Sequence, residues 1–198
     1  MKGLLVGGGI LLVIVMWLVG TYNSFVTLNE DVSTAWAQVE NQYQRRYDLI
    51  PNLVSTVQGI ANQEQAVFQG VAEARAKVGQ ITVTPEVLSN PQLFQQFQQA
   101  QGELSSALSR LLVAVEAYPT LRSNENFMAL QTQLEGTENR ISTERMRYNE
   151  VVRAYNIRAK AIPGVFFVSI FGFDKERQLF EAAQGAESAP KVEFNIGS

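Results

Sequence analysis

The chain has 198 residues and a formal net charge of -3: room for one domain and an appended segment, without the clustered Lys and Arg that nucleic-acid binding requires. It contains no Cys and no His, which excludes disulfides, thiolate nucleophiles, Cys- or His-ligated metals and imidazole acid-base chemistry. No catalytic, cofactor-binding or metal residues are nominated, and a non-enzymatic role is expected.

After Lys2 the run GLLVGGGILLVIVMWLVG, Gly3 to Gly20, is uncharged. As a helix rising about 1.5 Å per residue it reaches about 27 Å, enough for the hydrocarbon core of a bilayer. Residues 1–20 are therefore expected to form a transmembrane anchor, with Trp17 and Tyr22 at the level of an aromatic belt. A cleaved leader is the rival, against which stand Leu18, poorly suited two residues before a cut at Gly20, and the absence of a lipobox cysteine. Lys2 precedes the span, and the first basic residue after it is Arg45, with Glu30 and Asp31 between. The positive-inside rule then puts the N-terminus in the cytoplasm and the soluble part outside it. Gly3 and Gly7 form a GxxxG, which lets two membrane helices approach closely.

Beyond the span, Phe25, Leu28, Val32, Trp36, Val39, Tyr43, Ile50, Leu53, Val57, Ile60, Ala61, Phe68 and Val71 fall on one stripe when advanced by about 100° per residue. The phase is the same before and after Pro51. One kinked helix over about 21–78, continuous with the anchor, is expected, because a proline inside a helix removes one hydrogen bond and bends the axis without ending it. The rival is a hairpin at Asp48 to Pro51. GQITVTPEVLSN, 79–90, is a loop with room for one helical turn.

Asn90 followed by Pro91 is an N-cap and first-turn proline opening a helix over 91–117, with Leu93, Phe97, Ala100, Leu104, Ala107, Leu108, Leu111, Ala114, Val115 and Tyr118 stepping by three and four. Its glutamines read as a solvated face. A third helix, 123–162, carries Phe127, Leu134, Ile141, Tyr148, Tyr155 and Ile162 every seven residues, with Leu130 and Val151 between, a coiled-coil-like seam. Pro163 and Gly164 stop it. VFFVSIFGFDKERQLFEAA is read as a short fourth helix, 165–183, covering the bundle end; Phe166, Phe167 and Phe171 give it an apolar surface that alternatively dips into lipid or meets a partner. Residues 185–198 are expected to be an extended or mobile tail. The domain organisation is thus an anchor, 1–20, a helical bundle, 21–184, and the tail.

YNSFVTLNEDVSTAWAQVENQYQRRYDLIPNLVSTVQGIA, LSRLLVAVEAYPTLRSNENFMALQTQLEGTENRIS, RYNEVVRAYNIRAKAIP, FGF and APKVEF, in that order, resemble the LemA family of bacterial membrane proteins. RRYDLIPNLV and YNEVVRAYN are the specific elements, and the match covers nearly the entire chain. The resemblance implies one N-terminal transmembrane helix, an antiparallel four-helix bundle, no agreed enzymatic activity, and links to cell-envelope stress and membrane organisation. QGIANQEQ stands where many relatives have a Tyr and a His, so no role of that His carries over.

Arg46, Glu64 and Arg75 project from the first stripe, and Glu144 and Arg158 occupy seam positions of the third helix. Buried charges need partners, so these are expected to meet one another or a neighbouring subunit. Tyr-Asn pairs recur at Tyr22, Tyr148 and Tyr155, each a ring suited to the core with a hydroxyl needing a partner. Residues 140–160 are basic while the start of the first helix is acidic, and this complementarity would bring the end of the third helix down toward the bilayer. Exposed charges are screened within about 10 Å, so the stripe's phase is given precedence.

The interaction candidates are Gly3, Gly7, Arg46, Glu64, Arg75, Glu144, Arg158, Phe166, Phe167 and Phe171. The expected function is a single-pass, membrane-anchored helical scaffold or adaptor of the bacterial cell envelope, in the cytoplasmic (inner) membrane with its soluble domain extracytoplasmic. Membrane lipid, copies of itself as a homo-oligomer and envelope proteins are the partners. The alternative is a membrane-shaping or lipid-contacting protein of the envelope stress response.

Overall fold

A computed structural model describes residues 2–181 of the chain. The expected tail, 185–198, and the last residues of the expected fourth helix lie outside the described residues. The fold is all-α: α1 Lys2–Thr56, α2 Gln65–Gln80, α3 Pro91–Glu116, α4 Pro119–Arg122, α5 Glu125–Lys160 and α6 Gly164–Phe171, with single 3-10 turns at Gln58–Ile60 and Pro85–Leu88. No strand is present among the described residues.

α1 passes from the apolar run into the helical body without a break. It contains an 18-residue window of mean hydropathy 2.1, of which only 6 % is buried, long and apolar enough to cross a membrane. Pro51 lies inside α1, on its exposed side, and costs the helix one backbone hydrogen bond without ending it.

The expected single helix over 21–78 is corrected at a different place from its rival. α1 ends at Thr56, and the chain reverses through residues 57–64, one and a half turns after Pro51. Short-range bonds satisfy this helix end: Ile60 N–H donates to the Val57 carbonyl at 3.2 Å and Glu64 N–H to the Ile60 carbonyl at 3.0 Å. The reversal returns α2 along α1, where Arg75 lies 4.1 Å over the Tyr47 ring. Val57, Ile60 and Val71 are all buried as expected, but two helices can share a phase by coincidence, and Asn62, Gln63, Glu64 and Gln65 offer no apolar residue to carry one stripe across.

Contacts along the helices give their directions. Tyr118 bonds Glu64 and Lys77 pairs with Glu103, so α2 and α3 are antiparallel. Phe25 meets Tyr155, Trp36 meets Tyr148 and Arg46 meets Glu138, so α1 and α5 are antiparallel. Trp36 also meets Phe97 while Arg46 meets Ser105, so α3 runs with α1. The end of α5 therefore lies beside the start of the soluble part of α1, as the charge complementarity indicates, and α6 sits at the anchor end instead of the far end that a continuous first helix implies.

The N-cap read at Asn90 is present, its Oδ1 accepting from the Gln92 and Leu93 amides at 3.0 and 3.3 Å, and the structure adds a second at Asn124, whose Oδ1 accepts from those of Asn126 and Phe127 at 2.9 and 3.2 Å. The heptad positions Phe127, Leu134, Ile141, Tyr148 and Tyr155 are buried, whereas Ile162, past the end of α5, is 81 % exposed. The expected helix over 165–183 is shorter. α6 stops at Gly172, whose φ of +73° is the left-handed cap geometry that glycine adopts without a Cβ penalty. Residues 173–181 then run back over the body in a largely irregular course. We refer to this segment as the strap.

Candidate functional surfaces

Three features stand out: a polar layer inside the body, the strap's seat, and an aromatic cluster where the anchor meets the body. The layer divides two apolar cores. On the anchor side lie Phe25, Val32, Trp36, Val39, Tyr43, Phe94, Phe97, Ile141, Tyr148 and Tyr155; on the far side lie Ile50, Leu53, Val57, Leu104, Leu108, Leu111 and Leu134. Each of α1, α3 and α5 crosses from one core to the other through a polar residue. Arg46 lies between Tyr43 and Ile50, Gln101 between Phe97 and Leu104, and Glu138 between Leu134 and Ile141.

Arg46 is 1 % exposed. Its Nη1 donates to Glu138 Oε1 at 2.7 Å and to Ser105 Oγ at 2.6 Å, and its Nη2 donates to the Gln101 carbonyl at 3.3 Å and to Gln101 Oε1. The two Nη groups of this buried guanidinium reach a carboxylate, an amide and a hydroxyl together only when α1, α3 and α5 stand in one register, while its Nε has no partner. A cleft of about 550 Å³ opens beside it, lined among others by Gln98, Gln101, Glu138 and Arg145.

The strap is held by the two Tyr-Asn pairs of α5, seven residues apart. Tyr148 and Tyr155 donate their hydroxyls to the Gln178 and Asp174 carbonyls at 3.0 and 2.7 Å. Asn149 clasps the backbone of Phe180 and Asn156 that of Arg177, each through one donated and one accepted bond. Phe180 inserts its ring beside Trp36, Phe94 and Tyr148. Burial raises the Tyr148 and Tyr155 phenols, with the Arg177 cation opposing it in both cases. The Tyr22-Asn23 pair is used differently: Tyr22 packs edge-on to Phe171 at 5.1 Å.

At the anchor end, Trp17 meets Phe167 edge-on at 6.1 Å, and Phe25 stacks with Phe167 at 6.3 Å. Phe167 is buried, while Phe166 and Phe171 face outward. Gly164 is required here: a Cβ on it would lie 1.9 Å from the Arg158 carbonyl oxygen and 3.1 Å from Phe25 Cζ.

The nominated charged residues do not meet one another. Arg46 finds Glu138, Glu64 accepts from Tyr118 at 3.0 Å, and Arg75 covers Tyr47. Glu144 pairs with Arg147 on its own helix at 2.9 Å, and Arg158 lies 5.9 Å from the Phe25 ring centre. Gly7 has open space where a Cβ would stand. Sequence spacing does not single out Glu138, Gln101, Asn149 or Asn156. For the asparagines a signal exists in the seven-residue repeat of Tyr-Asn; for Glu138 and Gln101 it is only that each interrupts an apolar series.

Residues 35–194 match the LemA family. The chain belongs to that family. This LemA-family chain is also similar to the magnetosome proteins MamQ 2 and MamQ 1 of Paramagnetospirillum magneticum, 30 % identical over 185 residues covering 83 % of this chain and 66 % of each relative. MamQ of Magnetospirillum gryphiswaldense is 28 % identical over 180 residues, with the same coverage. The chain thus spans about two thirds of the length of these relatives. Among the described residues of this LemA-family chain no group of three or more Asp and Glu is placed to hold a metal ion.

Proposed function

We infer that this LemA-family chain is a single-pass, membrane-anchored helical scaffold or adaptor of the bacterial cell envelope that associates with copies of itself, without enzymatic activity. The observation that carries the reading is α1 itself. One helix, Lys2–Thr56, is both the exposed apolar span and a wall of the body, so the body stands at a fixed height and orientation on the bilayer. A scaffold needs that fixity. Its side-chain chemistry is compatible with this, since Tyr148 and Tyr155, two of the tyrosines with raised pKa, spend their hydroxyls on the strap backbone.

Self-association is supported by Gly3 and Gly7, one turn apart on α1, and by the open space at Gly7. An extracytoplasmic body is supported by Lys2 before the span and the acidic residues after it. Mass photometry and chemical crosslinking of the full chain in detergent test the reading. Oligomers that disperse in Gly7→Leu support it, and a strictly monomeric wild type with no co-purifying partner overturns it.

A further inference from the structure

The geometry points to α6 as a second membrane contact: an interfacial helix whose outer face lies in the acyl-headgroup boundary of the bilayer that α1 spans. This inference rests on the reading of α1 as a membrane anchor.

α6, GVFFVSIF, has no charged side chain. At eight residues it covers about 12 Å and cannot span a bilayer. Phe167 and Val168 turn inward and are buried, whereas Phe166 is 60 % and Ile170 74 % exposed, with Val165, Phe171 and the neighbouring Ile162 also open. An uncharged apolar face this dense is a contact surface.

Its position identifies what covers it. Phe167 of α6 touches Trp17, which lies within the uncharged run of α1, and Phe171 touches Tyr22 just beyond it. α6 is therefore level with the last turn of the span, and its outer face continues the exposed apolar surface of Val13, Leu18 and Val19. A bilayer that covers α1 to Gly20 reaches α6 without any further step. Cations lie on the segments that adjoin it in sequence: Arg158 near the end of α5 lies over Phe25, Lys160 pairs with Glu176, and Lys175 just past α6 is exposed, an arrangement suited to interfacial binding on anionic lipid. Gly164 lets α6 leave α5 at close quarters, and this holds the face in a fixed orientation.

The chain has no native cysteine, so spin labels can be placed singly in the full protein. Ile170→Cys and Phe166→Cys report on α6, Val13→Cys on the span and Met146→Cys on an exposed position of the body. Each variant is reconstituted in vesicles of phosphatidylcholine and phosphatidylglycerol, and collision rates with oxygen and with a water-soluble nickel complex are compared. The oxygen-to-nickel ratio is expected to be several-fold higher at 166 and 170 than at 146, and highest at 13. A nickel-accessible 170 and 166 beside a lipid-buried 13 overturns the α6 contact and leaves the anchor standing. Shielding of 166 and 170 from both quenchers overturns it in favour of a protein partner. A nickel-accessible 13 overturns the anchor, and the α6 inference with it.

Discussion

Asn149 pairs with the backbone of Phe180 as one strand pairs with another: its Nδ2 donates to the Phe180 carbonyl at 2.9 Å, and the Phe180 amide donates to its Oδ1 at 2.9 Å. Two helical turns on, Asn156 repeats the arrangement with Arg177 at 2.8 Å in both directions. A side-chain amide carries one donor group and one acceptor, so it can satisfy both polar groups of a single residue. The strap gains backbone partners without a sheet, and its Phe180 ring reaches the core.

Asn156→Ala is expected to cost about 2–3 kcal/mol, because it leaves the buried amide and carbonyl of Arg177 unpaired. Asn149→Ala, at a half-buried site, should cost less. The readout is amide exchange across 173–181 with denaturant unfolding alongside. Unchanged protection of the strap in Asn156→Ala would show that its rings alone hold it.

Much of the fold is legible in the sequence because the apolar residues of α1, α3 and α5 repeat at helical spacing and the cap at Asn90 is explicit. The reversal at 57–64 is not, since periodicity reports which face is buried and carries no information on whether two in-phase stretches share an axis. Its one local sign is the polar run at 62–65. The basic stretch at 140–160 gives the direction of α5, yet exposed charges are weak evidence beside packing. The strap is harder still. Its ladder comes from asparagine side chains on another helix, and nothing in the local pattern of 173–181 announces a partner so far away in sequence.

Three glycines should separate steric need from backbone freedom. Gly164→Ala places a methyl against the Arg158 carbonyl and is expected to undock α6, with altered Trp17 fluorescence and a marked fall in Tm. Gly172→Ala meets no neighbour but adopts a positive φ, and should cost about 1–2 kcal/mol. Gly136→Ala, mid-helix in open space, should stabilise by about 0.8–1 kcal/mol. Equal Tm values for the three would refute the close approach at Gly164.

Arg46→Ala is expected to lose about 3 kcal/mol, at the lower end for a broken buried pair because Glu138 is 38 % exposed and can rehydrate. Arg46→Met paired with Glu138→Gln removes both charges and joins the two cores, so it should recover much of that loss. If register is what the layer supplies, the double variant will be stable yet show broadened or duplicated methyl resonances from Leu104 and Leu134. A single sharp set would mean that apolar packing fixes the register unaided.

The buried tyrosines are expected to set the alkaline limit of stability. Burial raises Tyr148 and Tyr155, with Arg177 opposing, and raises Tyr43, with Arg145 and Arg46 opposing. In the unfolded chain a phenol ionises near pH 10. Between that value and the raised folded one the native state holds more protons than the unfolded state, so stability falls as pH rises. The contribution is complete below about pH 10 and is lost through the window above it. Tyrosinate absorbance should therefore appear in two stages on raising pH, the later one coincident with loss of helical circular dichroism. Tyr148→Phe lacks the ionisable group and the bond to the Gln178 carbonyl. It should be less stable than wild type at neutral pH and show a shallower decline above pH 10, and parallel declines in the two proteins would remove Tyr148 from the cause.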